Sequence, residues 1–295
     1  MSETTRRPSP GPRLAVRKTY KLYIGGAFPR SESGRSYPVT APTGELLAHA
    51  AQASRKDLRD AVLAARKAFA GWSGATAYNR GQVLYRVAEL LEGRREQFVA
   101  EVVSSEGVTA AAAADQVDAA IDRWVYYAGW SDKYAQVAGG TNPVAGPYFT
   151  FSLPEPTGVV GVIAPQTSSL LGLVSVAAPA LATGNVVVAL SSQQRPLPAV
   201  SLTEVLATSD VPGGVFNLLT GITSELAPWL AGHKDVNAID LTGAAPEQRR
   251  DLQIMAADNV KRVLVPRDED WERDPGTSRL GAFVETKTVW HPIGV

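Results

Sequence analysis

The sequence predicts an α/β fold in which a parallel sheet is covered by helices on both faces. Between residues 159 and 265, five apolar segments of strand length are separated by segments of helical character near 168–182, 198–207, 224–231 and 246–257. The strand segments are apolar throughout, which is typical of parallel strands buried on both faces. They read VVGVIA, NVVVAL, VFNLLT, NAIDLT and VKRVLV. This alternation favours a doubly wound sheet of the Rossmann type.

Helices are also predicted before this core. Ser54 and Asp57 stand three residues apart, as in a capping box, and Leu58 and Val62 begin one apolar helix face. Two further helices are expected at about 79–93 and 110–137. The aromatic residues of the last segment are distributed around the helix, so we interpret them as packing residues rather than as a platform for stacked bases.

Two segments with alternating polar and apolar residues lie outside the α/β core. They are YFTFSL, which begins at Tyr148, and FVETKTVW, which begins at Phe283. Alternation of this kind predicts antiparallel strands. Each strand needs a partner edge, either within the chain or in another chain.

Composition excludes several classes of function. The formal net charge is zero, with 29 basic and 29 acidic residues, so neither nucleic acid nor an anionic membrane is an expected partner. The chain contains no cysteine, and its three histidines lie far apart, so no metal site is expected. Prolines and polar residues interrupt the most apolar stretch, which we interpret as a buried helix and strand rather than as a membrane span. We expect a soluble, cytoplasmic protein.

Common catalytic and phosphate-binding motifs are absent from the sequence. It contains no G-x-G-x-x-G, no P-loop, no H-E-x-x-H and no G-x-S-x-G. Ser168 and Ser169 follow the first core strand without flanking glycines, and we interpret them as helix-capping residues. The LTGAAPE segment offers backbone amides at a helix start, which is a generic anion site of low specificity.

Several sequence segments, taken in their order along the chain, resemble the aldehyde dehydrogenase superfamily. They include YIGGAF, APTGELLAHAAQAS, EPTGVVGVIAP, APALATGNVVVAL, PGGVFNLLTG, DVNAIDLTG and NVKRV. The resemblance runs from about residue 21 to residue 265 and returns in the last dozen residues. It implies a Rossmann-type cofactor domain and a β-arm for oligomerisation. The family also has a catalytic domain with a nucleophilic cysteine, which has no counterpart between residue 265 and the arm.

The resemblance divides the chain into four parts. Residues 1–19 are a basic tail that we expect to be disordered, and residues 20–265 are a cofactor-binding-type domain whose arm strand lies at about 147–156. Residues 266–280 are a linker in place of the catalytic domain, and residues 281–295 are a C-terminal oligomerisation strand. The shortened second module of tandem aldehyde dehydrogenases has a similar organisation.

The positions that carry chemistry in the family are changed in this chain. Thr167 stands at the position of the oxyanion-stabilising asparagine, and Pro266 at that of the general-base glutamate. Leu190 replaces the lysine and Gln193 the glutamate that hold the adenosine ribose in the family. The vestigial cofactor positions implied by the resemblance are Ala164, Pro165, Gln166, Leu190, Gln193, Gly221, Thr242 and Gly243.

These changes support three hypotheses about function. The first is a non-catalytic structural or regulatory subunit that uses its β-arm to associate with a full-length, NAD(P)-dependent aldehyde dehydrogenase, with a homo-oligomer as a further form of assembly. The second is an oxidoreductase that acts on aldehydes through a site shared with a cysteine-bearing partner. The third is a weak nucleotide-binding module. No cofactor is expected to bind tightly, and NAD or NADP is expected to bind weakly.

Overall fold

A computed structural model describes residues 18–265 and 269–294. The basic tail up to residue 17, Pro266 and the start of the predicted linker therefore lie outside the described residues. The strands are β1 Ser36–Thr40, β2 Leu46–Ala51, β3 Gly140–Asn142, β4 Tyr148–Pro156, β5 Val159–Ile163, β6 Val186–Leu190, β7 Phe216–Leu219, β8 Ala238–Asp240, β9 Arg262–Leu264 and β10 Val284–Pro292. The helices are α1 Arg55–Gly74, α2 Ala77–Glu92, α3 Arg95–Glu106, α4 Ala110–Trp130, α5 Tyr134–Ala138, α6 Leu171–Ala182, α7 Leu197–Thr208, α8 Thr223–Ala231, α9 Pro246–Ala257 and α10 Ser278–Ala282.

The central sheet has five parallel strands in the order β7-β6-β5-β8-β9. The chain runs outward from β5 to β7, returns to β8 beside β5, and ends the sheet at β9. The strand order therefore reverses between β5 and β8, which makes the carboxyl ends of these two strands the topological switch point. The doubly wound sheet predicted from the sequence is confirmed.

The helices form two groups around this sheet. Because crossovers between parallel strands are right-handed, α6 and α7 lie on one face, and α8 and α9 lie on the other. Helix α1 joins α8 against the sheet, whereas α2, α3 and α4 cover the outer side of α6 and α7. Every residue of α6 is buried, because the sheet covers one side of this helix and α4 covers the other.

The N-terminal helices mostly follow the predicted pattern. The capping box of α1 is present, with the Ser54 and Asp57 side chains each accepting a backbone hydrogen bond from the other residue. The helix expected at 110–137 ends at Trp130, and the short α5 follows it. Helix α3 was not predicted, since no side chain caps its start and most of its residues are polar or small.

A separate three-stranded antiparallel sheet, which we call the arm sheet, has the order β10-β4-β3. Strands β4 and β10 pair over their whole length, from Val284 opposite Pro156 to Pro292 opposite Tyr148. The two alternating segments of the sequence thus find their partner edge in one another, within the chain. The outer edge of β10 has no paired strand among residues 18–265 and 269–294.

The segment before β10 is anchored to the core. Leu280 and Phe283 are fully buried, and the Phe283 carbonyl accepts hydrogen bonds from the Thr157 backbone N–H (3.2 Å) and from Asn185 Nδ2 (2.8 Å). Helix α10 lies across the boundary at residue 280 that we predicted between linker and strand. In the part of the chain that the structure describes, no helix has the length and apolar character needed to cross a membrane.

Candidate functional site

The predicted cofactor positions gather at the carboxyl ends of β5, β6, β7 and β8, on either side of the switch point. Ala164 follows β5 directly, and its backbone N–H donates to the carbonyl of Leu190, the last residue of β6, at 3.0 Å. Crevices of this kind hold ligands in doubly wound folds because several loops converge there.

Two glutamine side chains link the loop after β5 to the loop after β6 and to the start of α8. Gln166 Nε2 donates to the Ala164 carbonyl at 2.7 Å, and Gln166 Oε1 accepts from the Gln193 backbone N–H at 3.0 Å. Gln193 Oε1 accepts from the backbone N–H of Thr223, the first residue of α8, at 3.1 Å. Both carboxamides therefore form bonds within the chain.

Leu190 and Thr167, which both differ from the family pattern, differ from each other in burial. Leu190 is a core residue, only 1% exposed. Thr167 is exposed at the surface, and its carbonyl accepts a hydrogen bond from Arg195 Nη1 at 2.6 Å. A leucine side chain offers no hydrogen bond to a ribose hydroxyl, and the Gln193 Oε1 atom is used at the start of α8.

The turn after β8 packs directly against the end of β5. The Gly243 backbone N–H donates to the Ile163 carbonyl at 2.8 Å. A Cβ atom at position 243 would lie 1.8 Å from the Ala164 carbonyl oxygen, so only glycine fits there. The main-chain turn is thus kept, but it fills the space between the two strand ends.

Gly221 has a structural role in the turn between β7 and α8. Its φ angle of +146° lies in a region that L side chains rarely adopt. A Cβ atom there would lie 3.1 Å from the Ala53 backbone nitrogen. Ala53 in turn donates to the Thr220 carbonyl at 2.9 Å, which ties this turn to the start of α1.

The serines after β5 anchor the start of α6. Ser168 Oγ accepts from the Gly172 backbone N–H in the first turn of α6 at 2.9 Å, but neither serine is the N-cap residue, which is Leu170. Ser169 differs, because its backbone N–H and hydroxyl donate to the same carboxylate oxygen of Glu106, at 2.7 and 2.6 Å. Neither serine contacts a histidine or an acid–base pair of the kind that activates a nucleophile.

A buried ion network at the end of β8 was not predicted. Arg279 Nη1 lies 2.7 Å from Asp240 Oδ2, and the exposed fractions of these side chains are 8% and 0%. Arg279 Nη2 also contacts Glu269 Oε1 at 2.7 Å and Thr242 Oγ1 at 3.1 Å. Burial opposes the charge on Arg279, but the two carboxylates outweigh it and raise the pKa of its guanidinium.

A second arginine, Arg123, also fixes this segment. Arg123 of α4 donates to the carbonyl groups of Trp271 and Arg273 and to the hydroxyl of Ser175. Residues 269–282 are thereby held over the end of β8 and against α6. The sequence does contain one signal for this network. Asp240 is an acid within an apolar strand, and a buried carboxylate requires a partner.

No metal centre is found in the described part of the chain, where no three His, Cys, Asp or Glu residues are grouped to hold an ion. The candidate site consists of the switch-point loops, the hydrogen bonds from Gln166 through Gln193 to Thr223, and the Arg279 network.

Comparison with known proteins gives a consistent family. The model of the aldehyde dehydrogenase family matches residues 28–266. Human retinal dehydrogenase 2 is 37% identical over 264 residues, which cover 88% of this chain and 50% of that protein. Cytosolic 10-formyltetrahydrofolate dehydrogenase of Xenopus tropicalis is 34% identical over 258 residues, covering 85% of this chain and 28% of that protein.

Solved structures agree with the sequence relatives. An NAD+ complex of aldehyde dehydrogenase from Bacillus cereus has a TM-score of 0.79 at 28% identity, covering 83% of this chain and 50% of that one. HpcC from Thermus thermophilus has the same TM-score of 0.79 at 32% identity, covering 83% and 47%. The chain thus spans half, or less, of the length of these relatives. From its sequence, its sheet and these matches, the chain belongs to the aldehyde dehydrogenase family.

Proposed function

We propose that this chain is a catalytically incomplete member of its family that serves as a structural or regulatory subunit of an active NAD(P)-dependent aldehyde dehydrogenase. One observation carries the proposal. In the sequence only residues 265–283 separate the last core strand from the arm strand, and α10 and the Arg279 network hold residues 269–283 of this connection against the core. No catalytic domain is inserted between β9 and β10.

The chemistry of aldehyde oxidation supports the same proposal. A thiolate must attack the aldehyde before a hydride can leave, and the chain has no cysteine. Donors must stabilise the oxyanion, a contribution typically of about 3 kcal/mol, and Thr167 replaces the asparagine of the family pattern. A general base must activate water, and the family's glutamate position carries Pro266.

Dinucleotide binding is proposed to be weak or absent. The polar side-chain atoms of Gln166 and Gln193 that face neighbouring loops already form hydrogen bonds within the chain. A ligand that uses these atoms would have to break the bonds, and the Leu190 side chain cannot form a hydrogen bond to compensate. Isothermal titration with NAD and with NADP tests this point. Heat that saturates at micromolar ligand would overturn it and favour the nucleotide-binding module.

The arm sheet supports association with another chain. Among the described residues the outer edge of β10 is unpaired, and exposed apolar side chains lie on β10 itself (Trp290) and on the neighbouring β4 (Tyr148 and Phe149). An exposed strand edge with apolar neighbours is suited to pairing with a strand of another sheet. The partner proposed is a full-length aldehyde dehydrogenase subunit, whose own sheet would accept β10.

Co-expression with full-length aldehyde dehydrogenases from the same genome tests the proposal. We expect a stable hetero-complex in size exclusion with light scattering, and unchanged or modulated turnover that depends entirely on the partner's cysteine. A chain that stays alone or forms only homo-oligomers at micromolar concentration would contradict the proposal. Aldehyde turnover that falls when Thr167→Ala is introduced into this chain would instead favour a shared active site.

A further inference from the structure

A large cavity lies on the side of the core that carries α1, α8 and α9. Its volume is about 1050 Å³, which is large enough for a small organic ligand. It is bounded by the first turns of α1, the C-terminal half of α8 with the following residues, and one residue of α9. None of the eight vestigial cofactor positions lines it, so it is separate from the switch-point site.

The walls of the cavity are mostly apolar. Leu58 of α1 is fully buried beneath it, and Met255 of α9 and Pro228 of α8 line it as half-buried side chains. Trp229 is the largest lining residue, and 45% of its surface is exposed. An exposed indole beside buried aliphatic groups offers a flat apolar surface to a ring or a chain.

Cations surround this apolar surface. The Arg55 guanidinium carbon lies 3.7 Å from the centre of the Trp229 ring, a cation–π contact that orders both side chains. Lys56 pairs with Glu32 at 3.5 Å and Arg59 with Asp60 at 2.8 Å, so these two charges are balanced.

Two of the lining cations are not balanced. Within residues 18–265 and 269–294, the side chains of Arg55 and Lys234 form no ion pair and no hydrogen bond, although both line the cavity. Glu32 is the one carboxylate among the described residues that line the cavity, and it already pairs with Lys56. The cavity therefore combines an apolar wall with an excess of positive charge, which attracts a negatively charged ligand.

We propose that this cavity binds a small amphipathic anion, with a flat apolar body against Trp229 and a carboxylate, sulfonate or phosphate group between Arg55 and Lys234. The apolar wall requires an apolar body, because a fully polar ligand would lose its hydration without replacement. The unbalanced cations require the negative group, because a neutral ligand of the same shape gains nothing from them. Neither requirement depends on the proposed subunit role.

The test uses two probes with the same rings and different charge. The anion 8-anilinonaphthalene-1-sulfonate is titrated by fluorescence, and N-phenyl-1-naphthylamine, which lacks the sulfonate, serves as the neutral control. We expect one saturable site for the anion and at least tenfold weaker binding of the neutral amine. Equal affinity of the two probes would overturn the anion assignment.

Variants locate the site. Trp229→Ala and the double variant Arg55→Gln with Lys234→Gln are each expected to raise the dissociation constant of the anion at least tenfold. Matched controls at exposed positions outside this cavity, Tyr85→Ala in α2 and Lys133→Gln in the turn before α5, are expected to leave it unchanged. Binding that falls equally in the controls would show a nonspecific surface and reject the proposal.

A spectroscopic readout keeps the test independent of variant stability. In the intact protein labelled with ¹⁵N-tryptophan, the anion should shift the indole N–H resonance of Trp229, identified by its loss in Trp229→Phe. The resonance of the fully buried Trp124 should remain in place. A probe that shifts other indole resonances but not that of Trp229 binds elsewhere, and this result would contradict the proposal. The proposal would also be contradicted if a protein partner covered Trp229 and the probe still bound with the same affinity.

Discussion

Loss of the Arg279 side chain should reduce the stability of the fold strongly. Its replacement by methionine leaves Asp240, which is completely buried, without its counter-ion. Breaking a buried pair in this way typically costs about 3–5 kcal/mol. We expect the free energy of unfolding of Arg279→Met, measured by urea denaturation, to fall by an amount in that range. The double variant with Asp240→Asn should recover part of the loss.

A surface ion pair gives the matched control for this substitution. Arg262 and Glu285 form a bidentate pair at 2.5 and 2.7 Å, but both side chains are substantially exposed. Exposed pairs contribute at most about 1 kcal/mol, so Arg262→Met should change the unfolding midpoint little. Similar losses for the two variants would show that Arg279 does not act through burial.

Lys261 gives a pH-dependent prediction. Burial lowers the pKa of its ammonium group to about 8, with Asp258 partly opposing the shift, against an ordinary value of 10.5. Between these two values the unfolded chain holds a proton that the folded chain has released. The free energy of unfolding should therefore rise as the pH increases from 8 toward 10.

The rise should disappear in Lys261→Met, because the variant has no group to titrate at this position. Urea midpoints at pH 7, 8, 9 and 10 measure the effect, and the exposed Lys56→Met provides the comparison. If Lys261→Met follows the same pH profile as the unchanged protein, the lysine is not the source of the dependence.

At the scale of single elements, two residues cap the start of α1, and we expect them to contribute unequally to the free energy of unfolding. Ser54 Oγ accepts from the backbone N–H groups of Lys56 and Asp57, so Ser54→Ala should cost about 1 kcal/mol. The Asp57 carboxylate accepts from the Ser54 backbone N–H, the Ser31 hydroxyl and the Glu32 backbone N–H. Its removal should cost about 2–3 kcal/mol, because these donors lose their acceptor.

Thermal or urea unfolding of Ser54→Ala and Asp57→Ala checks that the loss of stability is larger for Asp57→Ala. Ser73→Ala, at a partly exposed position near the end of the same helix, loses only a long 3.5 Å contact with the Ala70 carbonyl and should lie within about 0.5 kcal/mol of the unchanged protein. A larger loss for Ser54→Ala than for Asp57→Ala would contradict the assignment.

The arm strand β10 is the element on which association should depend. Thr288 lies in the middle of the strand, and its hydroxyl is 2.8 Å from that of Ser152 in β4. Thr288→Pro removes a backbone N–H and fixes φ, which disrupts the strand edge. We expect it to abolish the hetero-complex while the core unfolds at nearly the same denaturant concentration.

Thr288→Val is the control, because valine keeps the strand propensity and loses only the hydroxyl. It should retain the complex in size exclusion with light scattering. A complex that survives the proline variant would mean that the partner binds another surface.

At the scale of the whole molecule, the sequence was sufficient for the α/β core and insufficient for its connections. Apolar strands such as Val186–Leu190 are recognisable because burial on both faces leaves a local pattern. The resemblance also pointed to Leu190 and Gln193, which lie at the end of β6 and in the loop after it. The bridge from Gln166 through Gln193 to Thr223 was not predictable, since it depends on distances between loops that sequence spacing does not determine.

The predicted linker illustrates the same limit. Its polar and acidic residues have no periodicity, and charged residues are rarely buried, so local reasoning favours a solvent-exposed segment. Yet the structure buries Arg279 and Leu280 within it. Only the folded sheet brings Asp240, at the end of β8, close enough to stabilise the arginine.

The pairing of β4 with β10 has a consequence for the order in which the protein is synthesised. The contact between Ser152 and Thr288 spans 136 residues of chain. The core strands β5 to β9 therefore leave the ribosome before β10 does, and until then one edge of β4 stands open. During this interval the same edge of β4 is accessible to a strand of another chain. The time taken to translate the residues between β4 and β10 should therefore influence whether β10 of the same chain completes the arm sheet.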